Sequence, residues 1–178
     1  MLRHDWEMNR LHLHYTPHRL HSLGVAVEQI RQRDQTNLFF QWNHLLFRRN
    51  RERSQLNIYS MLESGVARVQ SEVEPALGFT LAGDWETRRY FTSYLAGFEH
   101  AAEFDNGSFH QIARLGFAPY LGSYGSLHSW LMIQFEHHPE EEESTRVGPV
   151  LRFFKREYLI ELGVDNRRDL FFNLVARY

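Results

Sequence analysis

The chain ends in the stretch DLFFNLVARY, from Asp169 to Tyr178. Apolar and polar residues alternate through most of it, so an extended chain would place them on opposite faces: Leu170, Phe172 and Leu174 against Asn173 and Arg177. An apolar face opposite a polar one is typical of a β-strand that separates two environments. The closing stretch therefore predicts a two-faced strand that ends in an aromatic residue.

The same period of two recurs through the whole chain, with polar, Gly or Pro breaks between segments. It predicts eleven strands: Asp5–Thr16, His21–Arg33, Asn37–Arg48, Gln55–Val69, Leu77–Glu86, Arg88–His100, Phe109–Leu121, Ser126–His137, Val147–Lys155, Tyr158–Asp165 and Asp169–Tyr178. Only Gly24–Arg33 offers an exposed helix as an alternative. The pattern favours an all-β fold.

Composition limits the class of protein. With 178 residues and 43% hydrophobic content, we expect a single domain over residues 1–178. The formal net charge of −2 gives no basic excess, so nucleic acid is not an expected partner. Cysteine is absent, which excludes disulfides and Cys-based metal sites. The opening MLRHDWEMNR has no apolar stretch of a signal peptide, so an exported protein would be a mature or trimmed form.

Aromatic residues at strand ends distinguish a membrane barrel from a soluble one. If strands alternate in direction, five of them fall at one edge of the sheet: Tyr15, Trp85, Tyr90, Tyr158 and Tyr178. We expect them to form an aromatic girdle beside an outward apolar band. Turns at that edge are expected to be short, including Gly122–Gly125, and the longer loops Ala101–Ser108 and His138–Arg146 lie opposite. A soluble, ligand-holding barrel of lipocalin type is the alternative.

The closing stretch Asp169–Tyr178 resembles the C-terminal signal of Gram-negative outer-membrane β-barrel proteins. The segments Asp84–Tyr90 and Ala118–Gly122 are similar to stretches of small, mostly uncharacterised barrels of this kind. The resemblance implies an antiparallel up-and-down transmembrane β-barrel in the bacterial outer membrane. Outer-membrane lipids and the barrel-assembly machinery, acting through the C-terminal strand, are the implied partners, and further protein subunits remain open. The resemblance implies no established activity.

Eleven strands do not fit the even number usual for single-chain bacterial barrels. Either one strand is miscounted, or one N-terminal strand lies before Met1. We therefore expect ten to twelve strands, with twelve as the preferred number.

The polar faces carry charges in mid-strand and at strand ends. We expect eight to face the lumen: Glu63, Asp84, Arg89, Arg114, Glu136, Arg152, Glu161 and Arg177. They could line a narrow, charge-selective pore, or they could form ion pairs that plug the lumen. The sequence favours neither.

Histidine is frequent, with 11 residues. His12 and His14 share the lumen face of the first predicted strand, which is the spacing of a candidate copper, nickel or zinc site. Without a third ligand we expect weak or no metal binding. The adjacent pair His137 and His138 is expected at the surface near a loop.

Ser126, His128 and Glu136 share one strand face, but Glu136 is too far along to orient His128. We therefore assign no catalytic residue and no cofactor. The expected function is that of an outer-membrane barrel acting as a non-enzymatic channel, transport accessory or structural component. A lipid-modifying hydrolase and a metal-handling outer-membrane protein are the alternatives.

Overall fold

The computed structural model of the chain describes residues 1–5, 7–31, 34–104, 107–123, 125–140 and 144–177. It is a closed barrel of twelve antiparallel strands in which neighbours in the sheet are neighbours in the chain. The expected all-β, up-and-down barrel is thus confirmed. The strands are β1 (Leu2–His4), β2 (Met8–His18), β3 (His21–Ile30), β4 (Gln35–Arg51), β5 (Ser54–Val69), β6 (Glu72–Thr87), β7 (Tyr90–Ala101), β8 (Ser108–Phe117), β9 (His128–His137), β10 (Thr145–Lys155), β11 (Tyr158–Val164) and β12 (Leu170–Ala176).

The twelfth ladder closes the sheet through the short strand β1. Leu2 lies opposite Leu11 of β2 and opposite Leu174 of β12. Leu2–His4 is therefore a strand that the predicted set of eleven does not contain. Three residues are too few for a period of two to stand out in the sequence.

Differences from the predicted strand limits have local causes. Pro75 lies between two predicted strands, but in the structure it belongs to β6 and pairs with Val66 of β5. The ladder between β6 and β7 begins only at Ala76, so no hydrogen bond to β7 requires the amide hydrogen that proline lacks. Residues 118–127 form the connection between β8 and β9, which is much longer than the short turn expected at Gly122–Gly125. Pro119 follows directly after Ala118 and cannot extend the β8 ladder. The alternative helix at Gly24–Arg33 is wrong, since β3 covers most of it.

Because consecutive strands run in opposite directions, their connections lie alternately at the two ends of the barrel. The C-terminal end, where β12 finishes, carries connections 19–20, 52–53, 88–89, 118–127 and 156–157. The far end carries connections 5–7, 31–34, 70–71, 102–107, 138–144 and 165–169. With the exception of 118–127, the longer connections lie at the far end.

Side chains of each strand alternate between the lumen and the outer face. Two apolar clusters sit inside the lumen: Ala26, Phe39, Ala67, Ala76 and Ala101 in one, and Phe91, Met132, Val150 and Phe171 in the other. The alanines leave room for the ring of Phe39, which is 2% exposed. The outer face carries the large exposed apolar side chains, among them Leu77, Leu115 and Leu162.

Candidate functional site: the lumen

The eight charged residues expected in the lumen lie in different surroundings. Glu63, Glu136 and Glu161 are buried, and Asp84, Arg114 and Arg152 are half-buried. Arg177 is exposed at the lumen mouth, and Arg89 is exposed in the turn 88–89. Among the aromatic residues, Tyr15, Trp85, Tyr90 and Tyr158 are exposed at the C-terminal end. Tyr178 lies outside the described residues.

One ion-pair network is centred on Glu161, which is 1% exposed. Its carboxylate accepts hydrogen bonds from Arg152 Nε at 2.7 Å and from Arg114 Nη1 at 3.3 Å. Asn173 Nδ2 donates a third, at 2.9 Å. Two arginines thus share one fully enclosed carboxylate, so this region carries a surplus of positive charge.

This network continues across the sheet towards the far end. Arg114 Nε donates to Gln134 Oε1 at 2.7 Å, and Gln134 Nε2 donates to Glu136 Oε2 at 3.1 Å. Glu136 Oε1 lies 3.1 Å from His138 Nε2. Because His138 is buried in this chain of contacts, its expected position at the surface is wrong.

A second network surrounds Arg10, and in it carboxyl groups outnumber basic groups. Arg10 Nη1 lies 3.3 Å from Glu28 Oε1 and 3.7 Å from Glu99 Oε1, and Arg10 Nη2 contacts Glu63. Gln41 donates to Glu63 as well. One guanidinium therefore faces three carboxylates.

These networks divide the lumen into two spaces. A vestibule of about 720 Å³ opens towards the C-terminal end and is lined by arginines, by aromatic rings and by the acidic residues Asp84 and Glu86. A chamber of about 170 Å³ lies towards the far end and reaches Arg10, Glu99 and His138. Met1, Arg3 and Leu95 border both spaces, so they mark the constriction between them.

Charge also differs between the two ends. The five connections of the C-terminal end hold Arg19, Arg53, Arg88, Arg89 and Arg156 against Glu52 and Glu157. The described far-end connections hold three arginines against seven acids: Asp5, Glu7, Asp34, Glu103, Glu140, Asp165 and Asp169. The vestibule therefore opens at the basic end of the molecule.

His12 and His14 both belong to the inward face of β2, and their ring centroids lie 4.4 Å apart. Nδ1 of His14 lies 2.6 Å from Asn43 Nδ2 and 3.3 Å from Ser22 Oγ. Within the described part of the chain, no three His, Asp or Glu side chains are grouped so that they could hold a metal ion. The two imidazoles are thus brought together without a third ligand.

The candidate hydrolase residues are not assembled. Ser126 Oγ donates to the carbonyl of Ser123 at 2.6 Å. His128 packs beside Phe154, with ring centroids 6.5 Å apart, and Glu136 contacts His138 at the other end of β9. Among these three residues, Glu136 is therefore not placed to orient His128.

The sequence analysis missed a staple on the inward strand faces at the far end. Arg146 Nη1 donates to Asp165 Oδ2 at 2.7 Å and to Asp169 Oδ2 at 2.8 Å. Burial alone would raise the pKa of Asp165, but hydrogen bonds from Arg146 and from the backbone amides of Arg167 and Asp169 lower it overall. The sequence feature that could have indicated this contact is the pair Asp165 and Asp169, which stand at the two ends of the short connection 165–169.

Comparison with known proteins identifies no matching family model, no similar curated protein and no similar solved structure. Among the described residues, no helix is both long and apolar enough to cross a membrane.

Proposed function

We propose that the chain is a transmembrane barrel of the Gram-negative outer membrane that acts without catalysis, as a narrow conduit or transport accessory. Its outer face supports this proposal. Leu131, Ile133 and Leu162 point outwards and are 39 to 45% exposed. A bilayer would cover such a surface, which would be costly to leave in water. The strand β12, with its alternating apolar residues, would present the C-terminal signal to the assembly machinery.

The observation that carries the proposal is the divided lumen. A wide vestibule leads to a chamber whose walls are tied by Arg10 and its three glutamates. An open porin would offer a continuous aqueous channel, whereas a fully packed small barrel would hold no vestibule. The arrangement supports binding of small polar solutes and slow passage, in place of bulk flow.

Planar bilayer recordings test this function. We expect the wild type to give small conductance steps. The double variant Arg10→Ser/Glu63→Ser removes both partners of one contact and should raise the conductance several-fold. The matched control Arg68→Ser/Glu72→Ser removes an exposed arginine and an exposed glutamate near the far end and should leave it unchanged.

Two outcomes would overturn the proposal. A large, stable conductance in the wild type would show an open pore. Folded protein that stays soluble without detergent would show a soluble barrel of lipocalin type.

A further inference from the structure

The inward face of β6 carries two acidic side chains, Asp84 and Glu86, which line the vestibule. Asn57 Nδ2 donates to Asp84 Oδ1 at 2.8 Å, and Arg48 Nε donates to Asn57 Oδ1 at 2.8 Å, so Asp84 is anchored from one side. Within the described part of the chain, Asp84 Oδ2 and both carboxylate oxygens of Glu86 accept no hydrogen bond and form no ion pair. Asp84 and Glu86, the acidic wall, therefore present free acceptors to the cavity.

Two arginines on strands beyond β7 form the opposite side of this part of the vestibule. Arg152 Nε and Arg114 Nη1 contact the carboxylate of Glu161 at 2.7 and 3.3 Å, and Arg114 Nε donates to Gln134 Oε1 at 2.7 Å. These contacts hold the guanidinium groups from behind. Nη1 and Nη2 of Arg152 and Nη2 of Arg114 donate to no described residue, and both arginines line the vestibule. Arg114 and Arg152, the basic wall, therefore present free donors.

Aromatic rings lie between the two walls. Phe91 of β7 is directly opposite Glu86 in the ladder, and the guanidinium carbon of Arg152 lies 4.4 Å from the centroid of the Phe91 ring. Trp130 packs against the same ring, with centroids 6.2 Å apart, and also lines the vestibule. Glu86 and Arg152 are thus both neighbours of one apolar ring, and no ion pair joins them in the described structure.

A neighbouring row of the sheet shows the same separation of charge. Asp84 is opposite Ser93, and Ser93 is opposite Arg114, so the backbones of Asp84 and Arg114 are two strand spacings apart, about 9.5 Å. An arginine side chain can span this distance, but the guanidinium of Arg114 is held on its other side by Gln134 and Glu161. The short side chain of Ser93 leaves the space between the walls open. Opposite charges therefore face one cavity and are kept apart by their own anchors.

The vestibule has four further arginines. Arg3 pairs with Asp5 at 2.8 Å, and Arg48 is the group that anchors the acidic wall. Arg19 and Arg177 lie at the mouth, in the turn after β2 and beyond the end of β12. A single anion or a single cation between the two walls would be attracted by one of them and repelled by the other. A molecule that carries both charges can contact both walls favourably.

We propose that the vestibule binds a small zwitterion, whose anionic group contacts the basic wall and whose cationic group contacts the acidic wall. Phe91 and Trp130 contact the apolar part of the molecule. The volume of about 720 Å³ lies within the range of small-molecule sites. The inference rests on the proposed function for the route by which the solute arrives, and it names the class of small polar solute that the lumen selects.

Trp130 is the reporter for the test, because it lies beside the ring that separates the walls. In a protein with Trp6, Trp42 and Trp85 replaced by Phe, its emission is titrated in detergent micelles with 4-aminobutyrate, whose ammonium and carboxylate groups are separated by three methylene groups. Butyrate and butylamine each carry one of the two charges and are the matched probes. We expect a saturable change with 4-aminobutyrate, and an apparent affinity about tenfold weaker for each of the other two.

Variants of the two walls locate the site. Asp84→Asn/Glu86→Gln keeps the shape of both side chains. It should weaken the affinity for 4-aminobutyrate about tenfold and strengthen that for butyrate, because repulsion of the anion is removed, whereas a loss of structure would weaken both. Arg152→Gln should weaken the affinity for 4-aminobutyrate and strengthen that for butylamine. Glu72→Gln/Glu74→Gln, at the far end of the same strand, is the matched control and should change none of the three affinities.

The outcomes separate the inference from the proposed function, because the titrations need no bilayer. Equal affinities for 4-aminobutyrate and butyrate would show that the arginines alone decide binding, and would overturn the inference. Small conductance steps without a preference for 4-aminobutyrate overturn the zwitterion site alone. That preference together with a large conductance, or with protein that stays soluble without detergent, overturns the proposed function and supports the site.

Discussion

Glu161 shows how a single residue organises one half of the lumen. Its carboxylate is held by Arg114, Arg152 and Asn173. Glu161→Gln removes the charge and leaves two guanidinium groups without compensation. We expect a loss of about 3 kcal/mol in the free energy of unfolding, measured by urea titration in detergent, because breaking a buried pair leaves unpaired charge. Glu52→Gln in an exposed turn should change it little. A loss as small as that of the control would mean that lumen water solvates both arginines.

His12 and His14 support a second prediction at this scale. Their rings are close, but Nδ1 of His14 already contacts Asn43 and Ser22. With two ligands only, we expect weak or no binding of copper or zinc by calorimetry, equal in the wild type and in His12→Ala/His14→Ala. Tight binding that disappears in the double variant would contradict this prediction and support the metal-handling alternative.

Individual lumen residues could be predicted from parity, and the exceptions have a local cause. Glu63, Glu136 and Glu161 are enclosed because they sit in mid-strand on the polar face. His138 follows the same parity as Gln134 and Glu136, but it was assigned to the surface because it lies beyond the strand end. Extending the alternation by two residues would have placed it inside. Ion-pair partners on strands distant in sequence, such as Arg114 and Glu161, could not be identified without the register.

At the scale of elements, the connection 165–169 is tied by one aspartate. Asp165 Oδ1 accepts hydrogen bonds from the amides of Arg167 and Asp169, and Oδ2 accepts one from Arg146. Its pKa in the folded state is therefore below the ordinary value of about 3.9. The stabilisation is fully present above that ordinary value and is lost as the pH falls through the folded pKa.

Asp165→Asn tests this staple. The free energy of unfolding should be larger for the wild type than for the variant at pH 7, and the difference should shrink towards zero on acidification. Measurements of this free energy between pH 7 and pH 2 check the prediction. Glu72→Gln, at an exposed strand start, serves as the control. A difference between wild type and Asp165→Asn that does not depend on pH would show that the charge of Asp165 is not what ties the connection.

Elements with many alternating residues were predictable, and short or irregular ones were not. β5 runs over Ser54–Val69, almost the predicted segment, because its sixteen residues repeat the pattern many times. β1 has three residues and was missed. In β4 the register shifts between Leu45 and Phe47, which interrupts the alternation and hides the extension of the strand to Arg51.

For the whole molecule, the proposed bilayer has a consequence for charged substitutions on the outer face. The loss in free energy of unfolding should depend on how deep in the bilayer the substituted residue lies. Leu162 and Tyr158 share the outer face of β11, with Tyr158 at the C-terminal end and Leu162 nearer the middle. We expect Leu162→Arg to cost about 2–4 kcal/mol in unfolding from lipid vesicles, and Tyr158→Arg about 0–1 kcal/mol. Equal costs at the two positions would argue against a membrane around this surface.

The β1–β12 ladder has a consequence for the order of events during folding. Eleven ladders join neighbours in the chain, and each can form as a hairpin, whereas Leu2 and Leu174 come from opposite ends of the sequence. Closing so long a loop costs more chain entropy than any hairpin, and only three residue pairs repay it. Ring closure is therefore expected to come last and slowly. Until then the intermediate is an open sheet with two free edges, which can join a second chain as readily as each other.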